Sequence, residues 1–349
     1  MEKHYNRFNE TNKGNEMKAE YVRQPGNELT VVNAARVSFD KESSFELGYS
    51  KEFDEFNLKA EDKGLIRYLA NHGHWSPFSH VRETFKSTLG VLSVNYEELP
   101  IELRSALVFD VTRDFFYERT SVYGWIQLLK NGFVKVSQQE HLIEDLTDKY
   151  PETMEAYDLR SEGVGAFPRE ISNEDLDHPD FTDATLRYTV PIFISRQEFK
   201  HIVGFARNET SRRYVDDTPE LFTPNEWRKR PEGSVKQGSS AEIITGSHWW
   251  DSAEYDQTIE ERHEEHNQYC LEYYDDLIRL GVAPEQARME LPQSMMTSYY
   301  ITGSLSAYAR MVSQRSDSHA QVEIQELAAM VDDVLTAEFP ESWPSIKEK

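Results

Sequence analysis

The 349-residue sequence holds a single cysteine, Cys270. That excludes an internal disulfide framework and any zinc site built on several thiolates. No apolar run approaches the length needed to span a bilayer as a helix. The opening stretch MEKHYNRFNETNKGNEMK lacks the apolar centre of a secretory signal, so a cytoplasmic protein is expected. Positive charge is scarce: 38 Lys and Arg face 62 Asp and Glu, a formal net charge of −24. Such a chain repels duplex DNA and anionic membranes, and neither is expected as a partner. A small anion in a local basic pocket stays compatible with it. Internal repeats and low-complexity tracts are also missing.

What is present fits a globular protein, 38% hydrophobic and 29% charged. The length allows one large domain or two ordinary ones around a sizeable core. A polar tail is expected over residues 1–20. ELTVVNAARVSFD, with small and β-branched residues, reads as a strand or a tight helix entering a core. Residues 40–62 are polar and read as a loop. DKGLIRYLANHG predicts a short helix stopped by Gly73, and HVRETFKSTLGVLSV alternates like a strand. ELRSALVFDVTRDFFYERTSVYGWIQLLKNGF and QQEHLIEDLTDKY look helical, and RSEGVGAFPREISNEDLDHPDFTD looks like a long loop. Pro191 suits the first position of a helix, and the loop-rich residues 218–240 follow later. A long helix ends at Gly281. The stripe Ile324, Leu327, Val331, Val334 and Leu335 marks a last helix with a core or interface face.

The cations of this acidic chain crowd into RQEFKHIVGFARNETSRRY, residues 196–214. A solvated helix end followed by a polar loop is the plain reading. Against it, the cations sit among apolar residues. On an extended strand Glu209, Ser211 and Arg213 point the same way. A carboxylate, a hydroxyl and a guanidinium in a row can bind a sugar and grip a phosphate.

NHGHWSPFSH carries His72, His74 and His80 without thiol or carboxylate at ligand spacing, so a metal site is not expected. RHEEH, with His263 and His266, reads as a solvated face. Arg315 precedes an N-cap at Asp317 or Ser318, with His319 and Gln321 in the first turn. An arginine beside a helix start suits an anion, though a surface arginine suits it equally. Cys270 has Glu272, Asp275 and Asp276 nearby, which would raise its pKa, so it reads as structural and not catalytic.

VVNAARVSFD, LIRYLANHGHWSPFSH, PIFISRQEFKH with NETSRRY, GVAPEQARMELP and RSDSHAQVEIQE stand in that order. Together they resemble the flavin-dependent thymidylate synthases over most of the chain outside residues 1–20 and about 87–187. The resemblance implies an α/β fold: a central antiparallel or mixed sheet with flanking helices, here with a largely helical insertion. It implies one catalytic domain over 21–349, interrupted at about 87–187. The insertion would lie over the active site as a lid, remodel the assembly, or do neither.

The implied reaction turns dUMP into dTMP. Methylenetetrahydrofolate gives the carbon and FAD, reduced by NADPH, the hydride. The implied assembly is a homotetramer with active sites between subunits. Gln197, Glu209, Ser211, Arg213, Arg288 and Arg315 match the dUMP positions, with Arg315, Ser211 and Glu209 closest to the chemistry. His74, Ser76, Lys200, His201, Asn208, Ser304, Arg310 and His319 match the flavin side. The family's Arg-His-Arg reads Lys200-His201-Ile202 here, and one extra residue separates His201 from Asn208. Ser304 and Ser306 replace a common Asn and Arg. Arg310, one helical turn beyond Ser306, is expected to restore that charge. A different C5 modification of a pyrimidine deoxynucleotide, or nucleotide binding without catalysis, are the alternative outcomes.

Overall fold

The computed structural model describes residues 16–23, 26–49, 54–88, 90–104, 107–111, 115–159, 182–230, 242–244 and 257–347. Most of the expected tail, residues 160–181 of the loop expected at 160–183, and the end of the loop expected at 218–240 lie outside them. Strand β1 (Lys18–Arg23) begins inside the expected tail. Met17 is buried, and Ala19 and Tyr21 pack against the core that it joins.

The central sheet is antiparallel throughout. Strands β7 (Asp183–Pro191), β8 (Phe205–Glu209) and β9 (Met296–Ser304) join β1 in the order β1-β7-β9-β8. Helices α7 (Ile192–Glu198), α10 (Leu305–Arg315), α11 (Val322–Glu338) and α12 (Ser342–Lys347) complete this half. Ile324, Leu327, Val331 and Leu335 are buried in one core with Tyr188, Tyr299 and Tyr308. The stripe on the last long helix is therefore core. Pro191 ends β7 and caps α7 from outside, one position before the helix proper.

Residues 28–39 are helical. Helix α1 (Glu28–Arg36) starts at Asn27, whose side chain accepts from Thr30 N at 3.3 Å. Its Val31, Val32, Ala34 and Ala35 are all buried, so the helix shows no polar stripe and mimics a strand in sequence. The expected loop at 40–62 instead holds a hairpin, β2 (Glu46–Tyr49) with β3 (Asp54–Asn57), and the start of α2 (Ala60–Asn71). Strands of four residues are too short to show a clear alternation. Gly73, at φ +66, closes α2 where only glycine is comfortable.

The 102–133 stretch is not helical throughout. After α3 (Ile101–Arg104) come β5 (Val108–Val111) and β6 (Phe116–Ser121), then α4 (Val122–Lys130). Strand β6 lies between β5 and β4 (Arg82–Ser87). Glu118, Arg119, Thr120 and Ser121 are all buried, so β6 lacks the apolar alternation that identifies a strand. Helices α5 (Val136–Lys149) and α6 (Pro151–Ala156) follow.

This region is fastened to α1 and β4. The Glu28 carboxylate accepts from Thr153 N at 2.6 Å in the first turn of α6. Glu83 accepts from Tyr150 OH, and from Lys149 Nζ at 2.7 Å. Trp125, Leu142, Leu146 and Met154 share one core with Val31, Ile66, Leu69 and Phe78.

Helix α8 (Ile259–Arg279) opens with a reciprocal Thr258–Glu261 cap. Helix α9 (Pro284–Ala287) leads toward β9. Among the described residues no helix is long and apolar enough to cross a membrane.

Candidate functional site

The cations of residues 196–214 separate into two kinds. Arg207, on β8, donates to both oxygens of buried Glu198, at 2.9 and 2.6 Å. Tyr299 OH donates to the same carboxylate at 3.2 Å, and Arg207 lies over the rings of Phe199 and Phe205. Arg212 is held by Asp217 at 2.8 Å. These two hold the fold together. No local pattern pairs Arg207 with Glu198, which sits across a turn at the end of α7.

Lys200, Arg213, Arg288, Arg310 and Arg315 make no ion pair among the described residues. Arg315, at the end of α10, donates from Nε to His201 Nε2 at 2.7 Å and from Nη2 to the Gln197 carbonyl, also at 2.7 Å. Arg207 donates to the His201 carbonyl at 2.6 Å. Burial, and then the charges of Arg315, Arg207 and Arg310, lower the His201 pKa to about 4. The imidazole is therefore neutral at neutral pH, as an acceptor from Arg315 must be. Gln197, His201 and Arg315 thus form one contact group.

Glu209 ends β8, paired with Tyr299. Its Oε1 accepts from Thr297 Oγ1 at 2.8 Å. Burial raises its pKa, opposed by that hydrogen bond and by the Arg288 charge. The expected row of Glu209, Ser211 and Arg213 along one strand does not form, because the strand stops at Glu209. Ser211 N donates to Ser38 O at 3.0 Å, and Tyr214 N and Val215 N return to Ser211 O. Arg213 sits in that turn, exposed, over the Tyr214 ring. Tyr214 stacks on Phe39 at 4.9 Å.

The residues expected on the flavin side fall in several places. Buried His80 meets Thr302 Oγ1 through Nδ1 at 2.7 Å and Asn208 Oδ1 through Nε2 at 3.3 Å. Burial takes its pKa down to about 3. Neutral His80 therefore ties the Ser76–His80 turn to Asn208 on β8. His74 is exposed beside Tyr68 and His72, His72 stacks on Tyr68 at 4.0 Å, and exposed Trp75 lies 6.1 Å from the Tyr123 ring. Lys200 and Ile202 are exposed, Ile202 at 74%.

Arg310 Nη2 donates to Val203 O at 2.9 Å, which brings a guanidinium to the turn holding the Lys200-His201-Ile202 triplet. Gly204 closes that turn at φ +86, and an added Cβ would stand 2.9 Å from Ala307 Cβ. Ser304 caps α10, its hydroxyl accepting from Ala307 N at 3.2 Å. His319 Nδ1 lies 2.8 Å from Asp317 Oδ1, and the exposed ring is held by that local turn. Among the described residues no hydrogen bond or ion pair joins His74, Ser76, Ser211, Arg213 or His319 to the His201–Arg315 group.

Among the described residues no group of three or more His, Cys, Asp or Glu is placed to hold a metal ion. His263 is not simply solvated: it packs edge-on against Trp227 at 5.2 Å. Cys270 Sγ lies 3.6 Å from His266 Nε2. Burial and then Glu290 raise its pKa, a different acid from those expected at the sequence level.

A family model described as thymidylate synthase complementing protein matches residues 20–92 and 135–341. The flavin-dependent thymidylate synthase of Aquifex aeolicus is 27% identical over 331 residues, 89% of this chain and 94% of that protein. The one from Kosmotoga olearia is 28% identical over 225 residues, 62% of this chain and 91% of that protein. Among solved structures, a UMP/dUMP methylase from Streptomyces cacaoi bound with 5-Br dUMP aligns over 95% of this chain and 94% of that one. That likeness has 19% identity and a TM-score of 0.42, too loose to place any residue.

Proposed function

The chain belongs to the thymidylate synthase complementing protein family, the flavin-dependent thymidylate synthases, and from that membership we propose that it converts dUMP to dTMP. Methylenetetrahydrofolate supplies the carbon and NADPH the reducing equivalents. Residues 21–349 act as one catalytic unit in this reading, with active sites shared between subunits of a homotetramer.

Cations without a contact ion pair carry the reading. On a chain of net charge −24, Lys200, Arg213, Arg288, Arg310 and Arg315 make no contact ion pair among the described residues, although the Arg288 charge is felt at Glu209 and that of Arg315 at Glu198. Lys200, Arg213, Arg288 and Arg315 lie in the blocks that resemble the family's motifs, and Arg310 lies one helical turn before the last of them. A phosphate dianion is the natural complement to such guanidinium groups. Arg213, Arg288 and Arg315, with Gln197, Glu209 and Ser211, are assigned to dUMP. Polarising the uracil carbonyls would raise electron density at C5, the carbon that takes the new group.

The flavin side fits FAD at most positions. Lys200 and Arg310 suit a pyrophosphate, Asn208 and His201 suit polar ring atoms, and His74 offers an exposed aromatic face. Ser76 and His319 are assigned to the same cofactor. Ser304 fits less well, because its hydroxyl already caps α10. FAD supplies hydride chemistry when bound. The chain's residues position the nucleotide, keep His201 neutral and neutralise phosphate charge.

The exposed Ile202 and the Arg310–Val203 contact keep a second reading open to test: the same fold transferring a different group to C5. The visible spectrum of the purified protein tests flavin binding. Product mass from dUMP, methylenetetrahydrofolate and NADPH tests the reaction. Flavin bands and a methyl gain are expected. Tight dUMP binding with no flavin uptake and no turnover overturns the proposal.

A further inference from the structure

A chain of side-chain hydrogen bonds runs from Arg228 to Gln197. Arg228 Nη2 donates to Glu323 Oε1. Gln321 Nε2 donates to the other oxygen, Glu323 Oε2, at 2.8 Å. Gln197 Nε2 then donates to Gln321 Oε1 at 2.7 Å, and to Phe193 O at 3.5 Å.

The polarity of this chain is set at one end. A carboxylate can only accept, so Gln321 must turn its NH2 toward Glu323 and its carbonyl toward Gln197. Gln197 must answer with its own NH2. Both hydrogens of that amide are then directed at protein acceptors, Gln321 and Phe193. No described donor meets the Gln197 carbonyl Oε1. Glu323 is 6% exposed. Burial would raise its pKa, but the Arg228 and Gln321 hydrogen bonds and the Arg228 charge bring it below the usual value, so it stays a carboxylate.

We infer that Glu323, through Gln321, fixes the Gln197 amide so that it presents an acceptor, never a donor, to the bound nucleotide. Glu323 and Gln321 are positioning residues and Gln197 is the reader. This rests on the reading of Gln197 as a dUMP contact. The Gln197 position beside Arg315, which donates to its backbone carbonyl, suits that reading. The complement to a fixed acceptor is an N–H or O–H on the nucleotide. dUMP has two such groups, the uracil imide N–H and the sugar 3′-hydroxyl. A site built to accept from one of them rejects an analogue that lacks it.

The test measures binding of dUMP, dCMP and 2′,3′-dideoxyuridine monophosphate to the purified protein by calorimetry. dCMP lacks the imide N–H, and the dideoxy compound lacks the hydroxyl. The wild type is expected to bind one analogue roughly tenfold or more weaker than dUMP, which identifies the group read. Glu323→Gln can accept or donate and so frees the relay to reverse. It should reduce that penalty to below about threefold.

Gln321→Leu removes the relay altogether and should do the same, which covers the case in which Glu323→Gln does not fold. Melting temperatures are read in parallel. A purely structural role would lower the melting temperature and leave the penalty intact, which overturns the inference while dUMP binding stands. A wild type with no penalty for either analogue also overturns it. A wild type that does not bind dUMP overturns the functional reading, and this inference with it.

Discussion

Arg315 Nε points at His201 Nε2 across 2.7 Å, joining a residue assigned to the nucleotide with one assigned to the flavin. The contact requires an unprotonated imidazole, and burial together with the Arg315 charge provides it. Arg315→Ala should therefore raise the His201 pKa from about 4 toward 6.5, stopping short because burial remains. Imidazole proton shifts measured across a pH series would show it. An unchanged value means the contact does not form in solution. The same variant should weaken dUMP binding by about 2–4 kcal/mol.

Paired and unpaired arginines should respond oppositely to truncation. Arg207→Ala leaves Glu198 buried without its cation and should cost about 3–5 kcal/mol of stability. Arg213→Ala touches an exposed side chain and should change stability by less than ~0.5 kcal/mol, while weakening dUMP binding. Denaturant unfolding and calorimetry separate the two effects. Equal losses of stability would contradict the division.

His80 should give the protein an acid-sensitive stability. Its native pKa, about 3, lies below the ordinary 6.5. The unfolded chain therefore binds the extra proton first, and stability falls as pH drops from 6.5 toward 3. At pH 5 the loss from this group alone is about 2 kcal/mol. His80→Gln should remove that part of the slope, as seen in melting temperatures from pH 7 to pH 5. A slope identical to wild type would show that His80 is not neutral in the folded state.

Cys270→Ser should leave turnover nearly intact. The thiol's pKa is raised, so little thiolate is available as a nucleophile at neutral pH. Loss of turnover with an unchanged circular dichroism spectrum would require a thiol in the mechanism.

Much of the fold was legible where one face of an element is apolar. Helix α2, the end of α8 at Gly281 and the stripe on α11 all follow from that pattern. The pattern failed where it was absent. Helix α1 is buried on most sides, and β6 buries Glu118, Arg119 and Thr120, so neither shows the expected periodicity. The candidate site shows the same limit. Motifs pointed to Arg315, His201 and Gln197, but not to their mutual contact. Nor did they show that Arg207 belongs to Glu198, that Ser304 is spent as a cap, or that His80 holds Asn208. Each depends on a partner brought near by folding, at a separation no local pattern encodes.

The Glu28–Thr153 and Glu83–Tyr150 contacts bear on how residues 87–187 can behave. A lid swings on a hinge and leaves its resting face intact. Here the swing would part Thr153 from Glu28 and Tyr150 from Glu83, peel β6 away from β4 and leave two acids facing an opened cavity. Excising the segment would do the same permanently. It is a keel and not a cassette: a shortened variant would first need Glu28 and Glu83 neutralised and Val31, Ile66 and Phe78 re-covered.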